Sequence, residues 1–249
     1  MYYFDLDSCF YKYLATKGII KVNNFKFEVK GKDINMLKIS AQLKAIGEFH
    51  SRILGYKEHM NKRLTNNAGR IVEQYKIYIK WLKRDLEKIT KTSSSNEFEK
   101  IVAEVGRHYL ERAEICIKEI YKNNYIDLLK RSSNRFEICL KNVYFNNLRQ
   151  EENIKIINLD GCCYNMLEMD AVYFIKKLNK KKLNINTENI AAEFCRVENL
   201  DKESLKFILS MVEYPYEFMK CCNRYREDVK EQDKEKHIHE IKKIINKYN

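Results

Sequence analysis

The stretch NVYFNNLRQEENIKIINLDG, residues 142–161, decides the fold because it places two short apolar runs on either side of a polar turn. FNNLR and IKIIN are β-prone, and QEEN between them has the composition of a turn, so the stretch predicts a β-hairpin. Polar side chains flank the two strands. Asn142 and Asn147 stand before the first strand, and Asn158 and Asp160 follow the second.

Helices are predicted before this hairpin, since glycine (seven) and proline (one) are scarce. Apolar residues recur at helical spacing over 36–54 and again over 70–90. The polar connection TSSSN follows, in which Ser94 and Glu97 form a candidate capping box for a helix that runs to about Tyr121. Two long helices joined by so short a link should pack antiparallel.

Helical patterns return after the hairpin. Asp170 is a candidate N-cap ahead of AVYFIKKL, and Asn186 or Thr187 is a candidate N-cap for the next helix. Asp201 should cap KESLKFILSMV, and Pro215 should open EFMKCCNRYRE. The tail KEKHIHEIKKIINKY predicts a final amphipathic helix. The sequence therefore predicts an α+β, mainly helical protein with one inserted β-hairpin and a small N-terminal piece.

The bulk composition limits the class of protein. The 249 residues carry a formal net charge of +12, which indicates either an anionic partner or a general bias toward lysine, since lysines alternate with glutamates. We expect no signal peptide, no membrane span and no specific nucleic-acid partner. Synthesis in the cytosol predicts that the eight cysteines are thiols. Without a C-x-x-C motif, and with His237 and His239 two apart and interpreted as surface residues, zinc is not expected.

The polar positions around the hairpin resemble the kinase-like fold, in which D-x-x-x-x-N precedes the first strand and D-x-D or D-F-G follows the second. Three further segments resemble CotS-type spore-coat proteins, relatives of aminoglycoside phosphotransferases and choline kinases. They are GKDINMLKISAQLKAIGEFHSR with its Phe49-His50 pair, DAVYFIKKL, and YPYEFMKCCNRYRE. The resemblance covers roughly residues 25–249 in order.

The resemblance implies a kinase-like C-lobe over residues 33–249 and a vestigial N-lobe with the hinge strand over residues 1–32. A complete N-lobe of five strands and a helix would need roughly 60 residues. No glycine-rich loop and no V-A-I-K-like lysine occur there. At most two strands fit, and FKFEV (residues 25–29) is the best candidate for the hinge strand.

Departures from the family pattern lie at the positions that would carry chemistry. Asn142 stands at the catalytic aspartate position, and Asn158 stands at the first metal-binding aspartate position. Asn147 and Asp160 are retained, although Asn147 could equally cap a loop and Asp160 could serve the turn at Gly161. An amide cannot accept the substrate's proton, and Mg²⁺ prefers carboxylate ligands. This pattern predicts that no catalytic residue, no resident cofactor and no metal site are present, with weak binding of ATP and Mg²⁺ as the exception it allows.

The leading interpretation is a pseudokinase of the bacterial spore coat that is not an enzyme. It would be made in the mother cell and act through contacts with other coat proteins. The alternatives are a small-molecule phosphotransferase with an altered metal site and a binder of anionic polymers or nucleic acid through its basic surface. Residues 1–14 should cap the exposed top of the C-lobe or dock on a partner. Their aromatic residues are Tyr2, Tyr3, Phe4, Phe10, Tyr11 and Tyr13.

Overall fold

A computed structural model describes residues 6–57, 64–92, 96–181, 183, 185–227 and 234–248 of the chain. Most of these residues are helical, and the α+β, mainly helical class is confirmed. The helices are α1 (Leu6–Thr16), α2 (Met36–Ile53), α3 (Arg70–Thr92), α4 (Glu97–Lys122), α5 (Tyr125–Arg135), α6 (Glu168–Lys180), α7 (Thr187–Glu198), α8 (Lys202–Glu213), α9 (Tyr216–Glu227) and α10 (Lys234–Tyr248). The strands are β1 (Ile19–Lys21), β2 (Ile138–Cys139), β3 (Leu148–Gln150), β4 (Ile154–Ile156) and β5 (Cys163–Tyr164). None of the described helices combines the length and apolar character needed to cross a membrane.

The chain divides into two compact units. Unit 1 comprises Met1–Gly69 and Lys122–Val212, and unit 2 comprises Arg70–Tyr121 and Glu213–Asn249. Residues on both sides of position 32 belong to unit 1, so the division into an N-lobe remnant and a C-lobe stays a prediction. The candidate site lies in unit 1.

The predicted hairpin is confirmed in unit 1. β3 and β4 pair antiparallel with Leu148 opposite Ile156, and Gln150 opposite Ile154. A second pair of strands, β2 and β5, brackets the hairpin in sequence and brings Cys139 opposite Cys163. Because β2 ends just before Asn142 and β4 ends just before Asn158, the two pairings bring the candidate site loops together.

The segment FKFEV does not form the predicted hinge strand. β1, residues Ile19–Lys21, instead pairs parallel with β4 and extends the hairpin to the order β1-β4-β3. Alternating apolar residues suit any extended segment, and strand formation needs a partner edge, which β1 occupies. Phe25 packs under the Arg149 guanidinium, with 4.2 Å between its ring centre and Cζ, and Phe27 is 78% exposed.

The N-terminal segment folds back on its own chain as α1, and whether it caps the top of a C-lobe stays a prediction. Phe10 is 2% exposed and Leu14 is fully buried. The rings of Phe10 and Tyr13 lie 4.9 and 4.3 Å from the ring of Tyr56. Residues 1–5, including the three other aromatic residues named above, lie outside the described residues.

Unit 2 contains the predicted antiparallel pair α3 and α4. Lys83 forms an ion pair with Glu114, and Lys76 Nζ lies 3.4 Å from the hydroxyl of Tyr121. The later residue on α3 (Lys83) contacts the earlier residue on α4 (Glu114), so the two helices are antiparallel. The N-cap of α4 is Asn96, whose side chain accepts from the backbone N–H of Glu99 (3.0 Å). Ser94 lies outside the described residues.

Other predicted helix boundaries are confirmed by their hydrogen bonds. In unit 1, Asn186 accepts from the N–H of Asn189, and Asp201 accepts from the N–H of Ser204, each at 2.9 Å. In unit 2, Pro215 directly precedes α9. The following cysteines are thiols outside any disulfide, as predicted: Cys116, Cys139, Cys162, Cys163, Cys195, Cys221 and Cys222.

Candidate functional site

Asn147 ties together the two loops that carry the candidate site residues. Its buried amide nitrogen donates to the carbonyl oxygens of Asn142 (2.8 Å) and Asn158 (3.1 Å). Its amide oxygen accepts from the N–H of Asn158 (2.8 Å). Asn142, Asn147 and Asn158 therefore lie together, with Asn147 holding the backbone of both loops.

The second loop is closed by its own side chain. Asn158 Oδ1 accepts from the N–H of Asp160 (3.3 Å), which is the geometry of an Asx turn. Asp160 itself is exposed. Of the four candidate residues, Asp160 thus offers the one carboxylate, while the amides of Asn147 and Asn158 serve the loops.

Gly161 lets the first loop pass close to the second. Its φ of 82° lies in the left-handed region, and a Cβ added there would lie 2.5 Å from Cδ of Lys141. Lys141, the residue before Asn142, also has a positive φ of 68°. The Lys141 side chain therefore crosses the loop that carries Asp160.

Asp170 is not the N-cap that the sequence suggested. α6 begins at Glu168, and the fully buried carboxylate of Asp170 accepts from the N–H groups of Leu140 and Lys141, each at 2.7 Å. A local capping rule failed here because donors from a loop thirty residues away compete for the carboxylate. Asp170 thereby holds the backbone next to Asn142.

His50 links Asp170 to a second carboxylate. Its Nε2 lies 2.9 Å from Asp170 Oδ2, and its Nδ1 lies 2.6 Å from Glu198 Oε1. Burial by itself would lower the pKa of His50, but the charges and hydrogen bonds of Glu198 and Asp170 raise the pKa to about 10. His50 is therefore an imidazolium between two carboxylates at neutral pH.

Close helix packing makes this network possible. A Cβ at Gly47 on α2 would lie 2.5 Å from a methyl carbon of Val197 on α7, so the two helices approach closely. On the same helix, Gln42 donates to the carbonyl oxygens of Val143 (2.7 Å) and Leu148 (2.9 Å). α2 thus supports the first loop as well as the His50 network.

The candidate site does not fit a metal ion held by the protein alone. Among the described residues, no three histidine, cysteine or acidic side chains converge at these loops. Asp160 is a single exposed carboxylate, and Mg²⁺ requires several hard oxygen ligands around it.

An open cavity of about 530 Å³ lies beside the first loop and the hairpin. Four cations and one carboxylate, Glu28, line it together with aromatic side chains. The lining cations are Lys30, Arg149, Lys177 and Lys181, and the aromatic residues are Phe25, Phe27 and Tyr144. Volumes between about 300 and 1,000 Å³ are typical of small-molecule sites.

None of the four cavity cations forms an ion pair within 4.0 Å with a carboxylate of the described residues. Burial lowers the pKa of Arg149, and the charge of Glu151 opposes that shift. Burial and the charge of Lys181 lower the pKa of Lys177. Lys177 Nζ instead lies 4.4 Å from the ring centre of Tyr144 and 3.5 Å from Oδ1 of Asn146. This cluster of positive charge suits an anionic ligand. These cations come from three separate segments of the chain, so no local sequence motif predicts their convergence.

The fold is similar to that of a solved phosphotransferase. The aminoglycoside phosphotransferase from Alicyclobacillus acidocaldarius superposes with a TM-score of 0.64 over 84% of this chain, at 9% sequence identity. The chain spans 62% of the length of that enzyme. No protein-family model matches the chain. No curated protein matches it by sequence. The chain therefore has a kinase-like, phosphotransferase-like fold, and the CotS-type resemblance stays a prediction.

This similarity contradicts the prediction that the chain is not an enzyme. A solved structure with this fold is a phosphotransferase, so amides at Asn142 and Asn158 do not by themselves exclude an enzyme. The prediction took these two amides as the loss of catalysis. Phosphoryl transfer depends mainly on positioning and charge stabilisation, and a general base typically contributes about 10²–10⁴-fold to a rate. In an enzyme of this fold, an amide in place of the general base would lower the rate by that factor without excluding catalysis.

Proposed function

We propose that this protein is a small-molecule phosphotransferase with an altered acid site, which binds a phosphate-bearing aromatic ligand such as a nucleotide in the cationic cavity. The observation that carries the proposal is the cluster of Lys30, Arg149, Lys177 and Lys181 beside the loop of Asn142. A phosphotransferase must neutralise the charge of its phosphoryl donor. The fixed cations supply that charge where carboxylates that would hold a metal are replaced by amides.

The aromatic residues give the cavity a second recognition element. Phe27 is largely exposed at the cavity, and an aromatic base can stack on such a ring. The aromatic surface suits the base of a nucleotide, and the neighbouring cations suit its phosphates.

The same charges restrict the acceptor. The solved enzyme with a similar fold is named for aminoglycosides. Aminoglycosides carry several positive charges. Like charges in a partly desolvated site repel, so Lys177 and Lys181 disfavour a polycation. We propose a neutral or anionic alcohol as the acceptor of the phosphoryl group. Its oxygen forms the new P–O bond, the bond to the donor's leaving group breaks, and the hydroxyl proton passes to water.

Ligand binding is tested by thermal unfolding of the full chain with ATP, once with Mg²⁺ and once with a chelator. Any ligand that binds the folded state raises its stability. ATP should raise the melting temperature in both conditions, and Lys177→Gln with Lys181→Gln should abolish the rise. Lys202→Gln is the matched control, because it removes an exposed charge on α8 away from the cavity lining. A rise that needs Mg²⁺, or one that survives the double variant, would overturn the cavity assignment.

Catalysis is tested separately with a panel of sugars, polyols and aminoglycosides. The native protein should transfer phosphate slowly to a neutral or anionic member, and Asn142→Asp should raise the rate by about 10²-fold or more because a carboxylate can accept the proton. Absence of transfer in both proteins, despite ATP binding, would refute the enzymatic proposal and leave the binding result intact. The spore-coat location and coat-protein partners stay predictions from the sequence resemblance.

A further inference from the structure

Three side chains that commonly ligate metals meet between α9 and α10 in unit 2. The Cys221 sulfur, a ring nitrogen of His237 and a carboxylate oxygen of Glu240 all lie within 4.8 Å of one another. Cys221 is fully buried, and His237 is 3% exposed, so the interpretation of His237 as a surface residue is wrong. His237 and Glu240 are three apart on α10 and therefore share one helix face.

The chemistry of these groups matches a borderline divalent cation such as Zn²⁺. Thiolate, imidazole and carboxylate bind Zn²⁺ at about 2.0–2.3 Å, which places ligand atoms roughly 3.5 Å apart in a tetrahedral site. The observed limit of 4.8 Å requires a closure of about 1.3 Å at most, within the reach of side-chain rotation. Three protein ligands leave a fourth position for water.

The ligand atoms already have contacts that a metal would replace or share. The Cys221 thiol lies 3.9 Å from the carbonyl oxygen of His237, a long hydrogen bond. Burial and the charge of Glu240 raise the pKa of Cys221 to about 12, so the thiol is neutral without a metal. Glu240 forms an ion pair with Arg224. A carboxylate has two oxygens, so one can stay paired with Arg224 while the other binds a metal ion.

We propose that Cys221, His237 and Glu240 form a binding site for Zn²⁺ or a similar transition-metal ion that joins α9 to α10. Binding would release the thiol proton of Cys221, because the thiolate is the ligand. This site lies in unit 2 and is independent of the function proposed for the cavity in unit 1.

The chain offers matched controls for both main ligands. Cys222 is also a buried cysteine, but it lines a second cavity of about 250 Å³ in unit 2, together with Asp85 and Arg226, and does not belong to the cluster. His239 is exposed on another face of α10. Cys222→Ala and His239→Ala therefore remove the same chemical groups without removing a proposed ligand.

The test uses the reduced full-length protein titrated with Co²⁺, whose bonds to thiolate give a charge-transfer absorption in the near ultraviolet. We expect one equivalent of Co²⁺ to produce the band and one equivalent of Zn²⁺ to displace it, with release of a proton in a weakly buffered solution. Cys221→Ala should abolish the band, and His237→Ala should weaken binding at least tenfold. Cys222→Ala and His239→Ala should behave like the native protein.

Circular dichroism of each variant without metal shows whether it is folded, and Glu240→Gln provides a more conservative ligand change if Cys221→Ala unfolds. Glu240→Gln should retain the band with reduced affinity. Absence of a thiolate band in the native protein would overturn the proposal. A band that persists in Cys221→Ala, or is lost equally in Cys222→Ala, would show that another cysteine binds the metal.

Discussion

Replacing His50 by glutamine should remove a pH dependence of stability that the native protein has on the alkaline side. In the folded state the buried imidazole lies between Asp170 and Glu198, and its pKa is raised to about 10. In the unfolded chain the pKa of histidine is about 6.5. The network therefore stabilises the fold fully below pH 6.5, and this stabilisation is lost as the pH rises toward 10.

The magnitude follows from the two pKa values. Between pH 6.5 and 10 the folded state holds one proton that the unfolded state has released, so the free energy of unfolding falls by about 1.4 kcal/mol per pH unit. From pH 7 to pH 9 the native protein should lose roughly 2–3 kcal/mol through His50 alone. His50→Gln should be less stable at pH 7 by roughly 3–5 kcal/mol, because two buried carboxylates lose their cation.

The assay is urea denaturation of the native protein and His50→Gln at several pH values from 6 to 9. Lysines, tyrosines and cysteines titrate in both proteins, so the difference between the two curves isolates His50. His108→Gln, a change at an exposed histidine, should leave the pH slope unchanged. If the difference in unfolding free energy between native protein and His50→Gln stays constant from pH 7 to 9, then His50 is not a buried imidazolium.

Two further substitutions test the loop contact and the N-terminal helix by the same denaturation assay. Gly161→Ala should cost about 1–2 kcal/mol for its left-handed backbone, and more because its Cβ meets the Lys141 side chain. The steric part should disappear in the Lys141→Ala background, and an equal cost in both backgrounds would contradict the contact. Phe10→Ala should cost about 3–5 kcal/mol because its ring is buried, whereas exposed Lys12→Ala should stay within about 0.5 kcal/mol. Equal effects at these two positions would show that α1 does not cap the unit.

Much of the fold could be predicted because its signals are local. The long helices follow from apolar periodicity, and the hairpin follows from two β-prone runs around a polar turn. The wrong predictions concern segments whose structure depends on contacts with residues far away in the sequence. FKFEV has the alternation of a strand, but the edge of β4 pairs with Ile19–Lys21 instead. α5 (Tyr125–Arg135) was not predicted, since its sequence is polar and its burial rests on few residues, such as Leu128.

The site was predictable in its placement but not in its chemistry. Asn142 and Asn158 had to lie close together once the hairpin formed, and Asn147 bonds to both. The role of Asp170 could not be derived, because its donors come from the loop at Leu140, and sequence spacing does not report such distant contacts. The cationic cavity could not be predicted either, because the fold brings together lysine and arginine residues that form no recognisable motif within their own segments.

The replacement of acids by amides at this site has two opposite consequences for a phosphate ligand. A site that neutralises phosphate through a metal needs carboxylates to hold that metal, and Asn142 and Asn158 remove their charge. A site that neutralises phosphate with fixed cations is weakened by nearby carboxylates, which would pair with those cations and compete with the ligand. Under the proposed function, neutral side chains at Asn142 and Asn158 add no negative charge that would oppose the binding of an anion by Lys177 and Arg149. The same substitutions that argue against a metal-dependent mechanism thus favour direct binding of phosphate by the protein, which makes the effect of a chelator on ATP binding the decisive comparison between the two.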